Sequence, residues 1–146
     1  MSQGETIHRT LRCVVVTPER AVLDEAADFV AVPLFDGEAG MLPGRLPLIG
    51  RLGYGELRYR RGKAEHRYYV DGGFVQVRGD VVTVLTARAI PAAAIKPEAV
   101  QEALAAALQP ALTAEQQEAH QKDQERARAQ LRIAAKESDD VAAGGH

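Results

Sequence analysis

Near residue 90 the hydrophobic pattern of this chain changes period, and that change constrains its architecture more firmly than any motif. Before it, short segments alternate. "LRCVVV" (Leu11 to Val16) and "FVAVPL" (Phe29 to Leu34) are β-branched and apolar. In "ELRYRRG", Leu57 and Tyr59 alternate with Arg58 and Arg60, the period of a half-buried strand. "EHRYYV", "GFVQV" and "DVVTVL" follow, separated by Arg61-Gly62-Lys63, Asp71-Gly72-Gly73 and Gly79-Asp80. Glycine supplies the positive φ of tight turns, so these connections are expected to be hairpins. Short strands spaced in this way imply an antiparallel sandwich or barrel.

After Pro91 the texture is helical. "PEAVQEALAAAL" places Val100, Leu104, Ala107 and Leu108 on one apolar stripe, with Pro97 in the first turn, where a missing N–H is harmless. Pro110 interrupts the pattern. Thr113 opens a second helix, and Gln116 completes a capping box. That helix is expected to run to about Lys136, with acidic residues early and Arg126, Arg128, Arg132 and Lys136 late, as the helix dipole favours. Its buried side is a thin seam of Ala119, Ala127, Leu131, Ala134 and Ala135, and "SDDVAAGGH" reads as a frayed tail. The expected organisation is α+β, with a β domain over residues 1–90 and a helical hairpin over 91–146. The first part carries 12 Lys and Arg against 11 Asp and Glu, the second 6 against 9. A hairpin with so few large side chains must dock on the β domain or on a partner, and weak docking makes it mobile.

Composition narrows the function classes. A net charge of -2 gives no field for collecting phosphates, which argues against a nucleic-acid binder. Apolar runs fall far short of the ~20 residues that span a bilayer. "MSQGETIHRT" has no apolar h-region, so no secretory signal is expected, and one cysteine, Cys13, allows no internal disulfide. Both fit a cytosolic chain.

Catalytic constellations are missing from the pattern. His8, His66, His120 and His146 are scattered without the short spacing of a zinc site. Ser2 and Ser138, the serines of the chain, lie near its ends, away from any nucleophile elbow. Cys13 reads as a small core residue, and Arg78-Gly79-Asp80 as a hairpin tip. The expectation is a protein without catalysis of its own, without cofactor and without metal.

One stretch resists these generic readings. "DGEAGMLPGRLPL" (Asp36 to Leu48) holds three glycines and two prolines, yet also Met41, Leu42, Leu46 and Leu48. It is too apolar for a solvent loop and too rich in breakers for a strand. The loop pattern Gly37, Gly40, Leu42, Pro43, Gly44, Pro47, Leu48 follows Thr17-Pro18 and precedes Leu52, Gly55, Gly72-Gly73-Phe74 and "VTVL" (Val82 to Leu85). "AQLRIA" (Ala129 to Ala134) lies near the end. In this order and spacing, over nearly the whole chain, the sequence resembles the epsilon subunit of rotary ATP synthases.

That resemblance implies a β-sandwich of about ten strands followed by a two-helix hairpin, in keeping with the change of period. It implies a non-catalytic rotor subunit that joins the gamma subunit to the membrane ring of c subunits in a proton-translocating ATP synthase. Such a subunit sits at the cytoplasmic face of the energy-transducing membrane without inserting into it. The ring and stalk contact would comprise Asp36, Gly37, Glu38, Met41, Leu42, Arg45 and Leu46, on a loop whose stiffness limits the entropy lost on assembly. The family's helical tail can also extend and block ATP hydrolysis. On that basis Arg126, Arg128, Arg132 and Lys136 are regulatory candidates toward the alpha and beta catalytic subunits.

Two departures from the family pattern stand out. Arg45-Leu46 replaces a usual histidine–alanine pair. Some relatives bind ATP through Ile/Leu-Asp-x-x-Arg-Ala, where this chain reads "IKPEAV", so Lys96 replaces the aspartate and Ala99 the arginine. No nucleotide site is therefore expected. The competing readings are a free-standing β-sandwich adaptor with a regulatory tail and, more weakly, a nucleotide sensor using Lys96.

Overall fold

The computed structural model describes residues 9–45 and 47–144. Eight strands come first: β1 (Leu11–Val16), β2 (Ala21–Ala27), β3 (Phe29–Leu34), β4 (Gly37–Met41), β5 (Leu48–Arg61), β6 (Ala64–Arg78), β7 (Val81–Leu85) and β8 (Ala89–Pro91). A 3-10 turn at Ala92–Ala94 leads into α1 (Pro97–Ala107) and α2 (Ala114–Gly144).

The strands form one hydrogen-bonded path, β2-β1-β7-β6-β5-β3-β4, with β8 added to β6. Among the described residues, the β1–β7 pairing is parallel and the others are antiparallel. The path folds over a single core. Leu11, Cys13 and Val15 of β1 meet Val30 and Val32 of β3, Met41 of β4, Leu57 of β5, and Val75 and Val77 of β6. Inward and outward residues alternate along β1 and most of β5, whereas in β6 the adjacent Tyr69 and Val70 are both buried, one against the hairpin and one in the sheet core.

Eight strands stand where about ten are expected, because β5 and β6 are unusually long. Asp71-Gly72-Gly73 is not a hairpin. The β5–β6 pairing keeps one register from Leu48↔Val77 to Arg61↔Ala64, with Gly73 paired to Leu52 and the ladder resuming at Tyr54↔Asp71 after Gly72. Gly72 (φ 70°) and Gly73 (φ 104°) let the strand bend without leaving its ladder. On the side away from β5, β6 pairs β8 at Tyr68–Val70 before the bend and β7 from Phe74 after it. The other two turns are hairpins as expected. Gly62-Lys63 closes β5–β6, and Gly79 (φ 58°) with Asp80 (φ 64°) closes β6–β7 as a two-residue turn with both angles positive.

The helices also differ from expectation at their ends. Pro97 starts α1 and the helix stops before Pro110. At α2, the Thr113 hydroxyl accepts from the Gln116 N–H (3.0 Å), while the Gln116 side chain accepts from Leu112 N–H (2.7 Å), one residue earlier than a standard capping box. The helix continues through Gly144, so the stretch read as a frayed tail is helical as far as it is described. Its buried side is Ala127, Ala129 and Ile133, with Leu131 and Ala134 half-covered, whereas Ala119 and Ala135 are exposed. These pack on Tyr69, Ala92, Ile95 and Val100, a second small core between hairpin and sheet.

Candidate functional site

The stiff loop resolves into three parts. Phe35-Asp36 turns the chain from β3 into β4, and Gly37 takes φ 139°. Gly37–Met41 is itself a strand, which the glycines alone would not suggest. It lies at the end of the sheet, paired with β3 alone, from Leu34↔Gly37 to Val30↔Met41. An edge strand tolerates glycines that an interior one would not. At Gly40 the glycine has a local purpose, because a Cβ there would sit 3.0 Å from the Phe29 ring. The prolines lie beyond the strand, at 43 and 47.

Asp36, Gly37, Glu38, Leu42 and Arg45 are exposed along this edge. Met41 is not. It is fully buried in the sheet core, where it supports the loop from beneath and offers nothing to a partner. Leu46 lies outside the described residues. Arg45 reaches back to the Gly40 carbonyl (3.4 Å). Glu38 pairs with Arg58 (3.4 Å), which also reaches Glu56 (3.4 Å) and Glu65 (3.5 Å).

The loop is held from across the fold by a residue that sequence reading assigned only to a turn. The Asp80 carboxylate accepts from Gly44 N–H (2.8 Å) and from Arg9 (2.5 Å). These contacts, the Gly44 one foremost, hold Asp80 below the usual carboxylate range. Gly44, at φ 86°, needs no Cβ to take this pose.

A second feature was also missed. Arg51 on β5, Phe74 on β6 and Leu85 on β7 are direct cross-strand neighbours, with Ile49 and Phe35 beside them. Phe35, Ile49, Phe74 and Leu85 are 70, 77, 57 and 51% exposed, an apolar face distinct from the exposed Leu42 beyond β4. Arg51 lies over the Phe35 ring at 4.8 Å and stiffens that end.

The four basic residues of α2 are not one surface. Arg126 is taken up in docking: its guanidinium bonds Asp71 (2.9 Å) and Asp123 (3.0 Å) and covers the Tyr54 ring at 4.8 Å. Tyr69 also donates to Asp71 (3.0 Å), and burial, followed by the nearby Asp71 charge, pushes its phenol up. Lys136 reaches Glu56 at 3.2 Å. Arg128 bonds only its helix neighbour Gln124 (3.3 Å) among the described residues, and Arg132 is exposed.

Between hairpin and sheet lies a cavity of about 620 Å3, floored by alanines and rimmed by Arg88, Lys96, His120, Asp123 and Arg126. Lys96 and Ala99 both line it. His66 is elsewhere, stacked on Tyr59 at 4.8 Å. No cluster of three or more metal-binding side chains occurs among the described residues.

Comparison with known proteins agrees with this architecture. Residues 10–92 match the family described as the ATP synthase, Delta/Epsilon chain, beta-sandwich domain. Over 124 residues the chain is 54% identical to the ATP synthase epsilon chain of Rhodopirellula baltica, covering 84% of this chain and 97% of that one. A chain in the cryo-EM structure of Euglena gracilis mitochondrial ATP synthase (OSCP/F1/c-ring, rotational state 1) superposes with a TM-score of 0.66 at 21% identity, over 90% of this chain and 81% of that one. A chain in the central stalk/c-ring structure of the Tetrahymena thermophila mitochondrial ATP synthase gives 0.67 at 11% identity, over 86% and 97%. At those identities the two structures speak for the fold alone.

Proposed function

The chain belongs to the ATP synthase delta/epsilon family, and from that membership we propose that it serves as the non-catalytic epsilon subunit in the rotor of a proton-translocating ATP synthase. The observation that carries this reading is the 54% identity to an epsilon chain across 84% of the sequence. Its task is mechanical: to hold the gamma subunit and the c-ring in fixed relation while torque passes between them. No described helix is long and apolar enough to cross a membrane. Its place at the cytoplasmic face is part of this reading and would come through the complex.

Two surfaces divide the work on this reading. The apolar face of Phe35, Ile49, Phe74 and Leu85 takes the gamma subunit, since a permanent joint favours apolar area over polar contact. The polar edge of Asp36, Gly37 and Glu38, with Leu42 and Arg45 beside it, takes the polar loops of the c-ring. Met41 and the Asp80 tether stiffen that edge from within. Inhibition of hydrolysis would use Arg128 and Arg132, which already face outward. Arg126 and Lys136 join them only after leaving Asp71 and Glu56.

Calorimetric titration of the full chain into the matching gamma subunit tests the assignment. Tight binding is expected, weakened at least about tenfold by Phe74→Glu, which places a charge at the centre of an apolar interface. Unchanged binding by that variant moves gamma to another face. Failure of the native chain to bind removes the rotor reading.

A further inference from the structure

The last turns of α2 break the rule that organises the rest of the helix. After Lys136 come Glu137, Asp139 and Asp140, with no basic residue in the final turn. Carboxylates at a helix C-terminus oppose the dipole, so local physics calls for fraying there. Yet the helix continues to Gly144.

The compensation comes from the sheet. Arg67 of β6, its side chain only 7% exposed, ion-pairs with Glu56 (2.8 Å) and donates a hydrogen bond to Glu65 (3.0 Å). Its remaining nitrogen, Nη1, meets Glu137 (3.7 Å) and Asp140 from the helix. Lys136 adds a contact to Glu56 from the same stretch of helix (3.2 Å). Two carboxylates that disfavour the helix in isolation therefore become its attachment to the sheet.

The clasp is also built to open. A buried cation that loses its partners is costly, but Arg67 keeps Glu56 and Glu65 when the helix departs. The departing carboxylates are 27% and 54% exposed and return readily to water.

We propose that residues 137–144 form a docking-coupled helix, folded only while Glu137 and Asp140 are held on Arg67, so that undocking of the hairpin end and uncoiling of its last turns are one event. This does not depend on which assembly the chain serves.

The test is amide hydrogen exchange on the full chain, comparing the native protein with Glu137→Gln/Asp140→Asn and with Asp139→Asn. Local dipole physics and the clasp predict opposite signs for the double variant. Without a clasp, neutralising two acids at a C-terminus protects the helix. With it, exchange across 137–144 accelerates roughly ten- to a hundredfold, the factor expected for a charged hydrogen bond. Val75, Val77 and Val84 keep their protection, and Asp139→Asn, which removes an acid outside the clasp, causes no acceleration. Unchanged or slower exchange in the double variant overturns the proposal, as does equal acceleration in Asp139→Asn.

Discussion

The carboxylate of Asp80, at the tip of the β6–β7 hairpin, accepts a hydrogen bond from the backbone N–H of Gly44 at 2.8 Å. One tight turn thereby fixes the loop that follows the sheet edge. Asp80→Gly removes the tether while keeping a residue that accepts φ 64° without strain. Faster exchange of the Gly44 amide is expected, with the β core unaffected. Acid has the same effect. The folded-state pKa of Asp80 lies below its ordinary 3.8, so its contribution is complete above that value and is lost as pH falls through the lower folded one. Gly44 protection measured against pH should decline only in that acid range.

Gly73 is the position least able to change. A Cβ there would lie 1.9 Å from the Leu85 carbonyl oxygen, with φ at 104° besides. Backbone has no rotamer with which to give way. Gly73→Ala should destabilise the β domain by on the order of 3 kcal/mol or more, read from denaturant midpoints. Gly62→Ala meets nothing within 4 Å and suffers only the strain of its φ of 61°, so it should cost less.

Cys13 should be inert. It is fully buried, and desolvation, aided by the Asp24 charge, pushes its thiol up to about 12. Alkylation at pH 8 should proceed only as fast as the β domain opens, and should become rapid in denaturant.

The cavity beneath the hairpin is expected to leave ATP unbound. Ala99 supplies no guanidinium, and Arg126 is already held by Asp71 and Asp123. Calorimetry at millimolar ATP should give no heat. Measurable heat would reassign Lys96, Arg88 and His120 as ligands.

What was legible in the sequence were features set by neighbours along the chain. The change of period at residue 90, the hairpins at Gly62 and Gly79-Asp80, the Pro97 start and the Thr113 cap all depend on local geometry. What was not legible depends on distant partners. Gly72-Gly73 reads as a turn because glycine pairs usually are turns, and only Leu85 across the sheet shows why the strand continues. The last turns of α2 look frayed until Arg67 is placed beside them. Alternation separates the faces of β5 and β6 but does not say which is covered, so Phe74 and Leu85 gave no signal as surface residues. Met41 looked like loop because its strand hides among glycines. Arg126 and Lys136 looked free because their carboxylate partners, Asp71 and Glu56, lie far away in sequence.

The central claim is that this chain couples ring rotation to the catalytic head, and ATP-driven proton pumping tests it most directly. Membranes carrying the matching ATP synthase are stripped of this subunit and then supplied with the full chain. Pumping should fall on removal and return when the chain is added back, but not when Phe74→Glu is added at the same concentration. Pumping that persists undiminished without the chain, or that fails to return although the chain has rebound, would contradict the account.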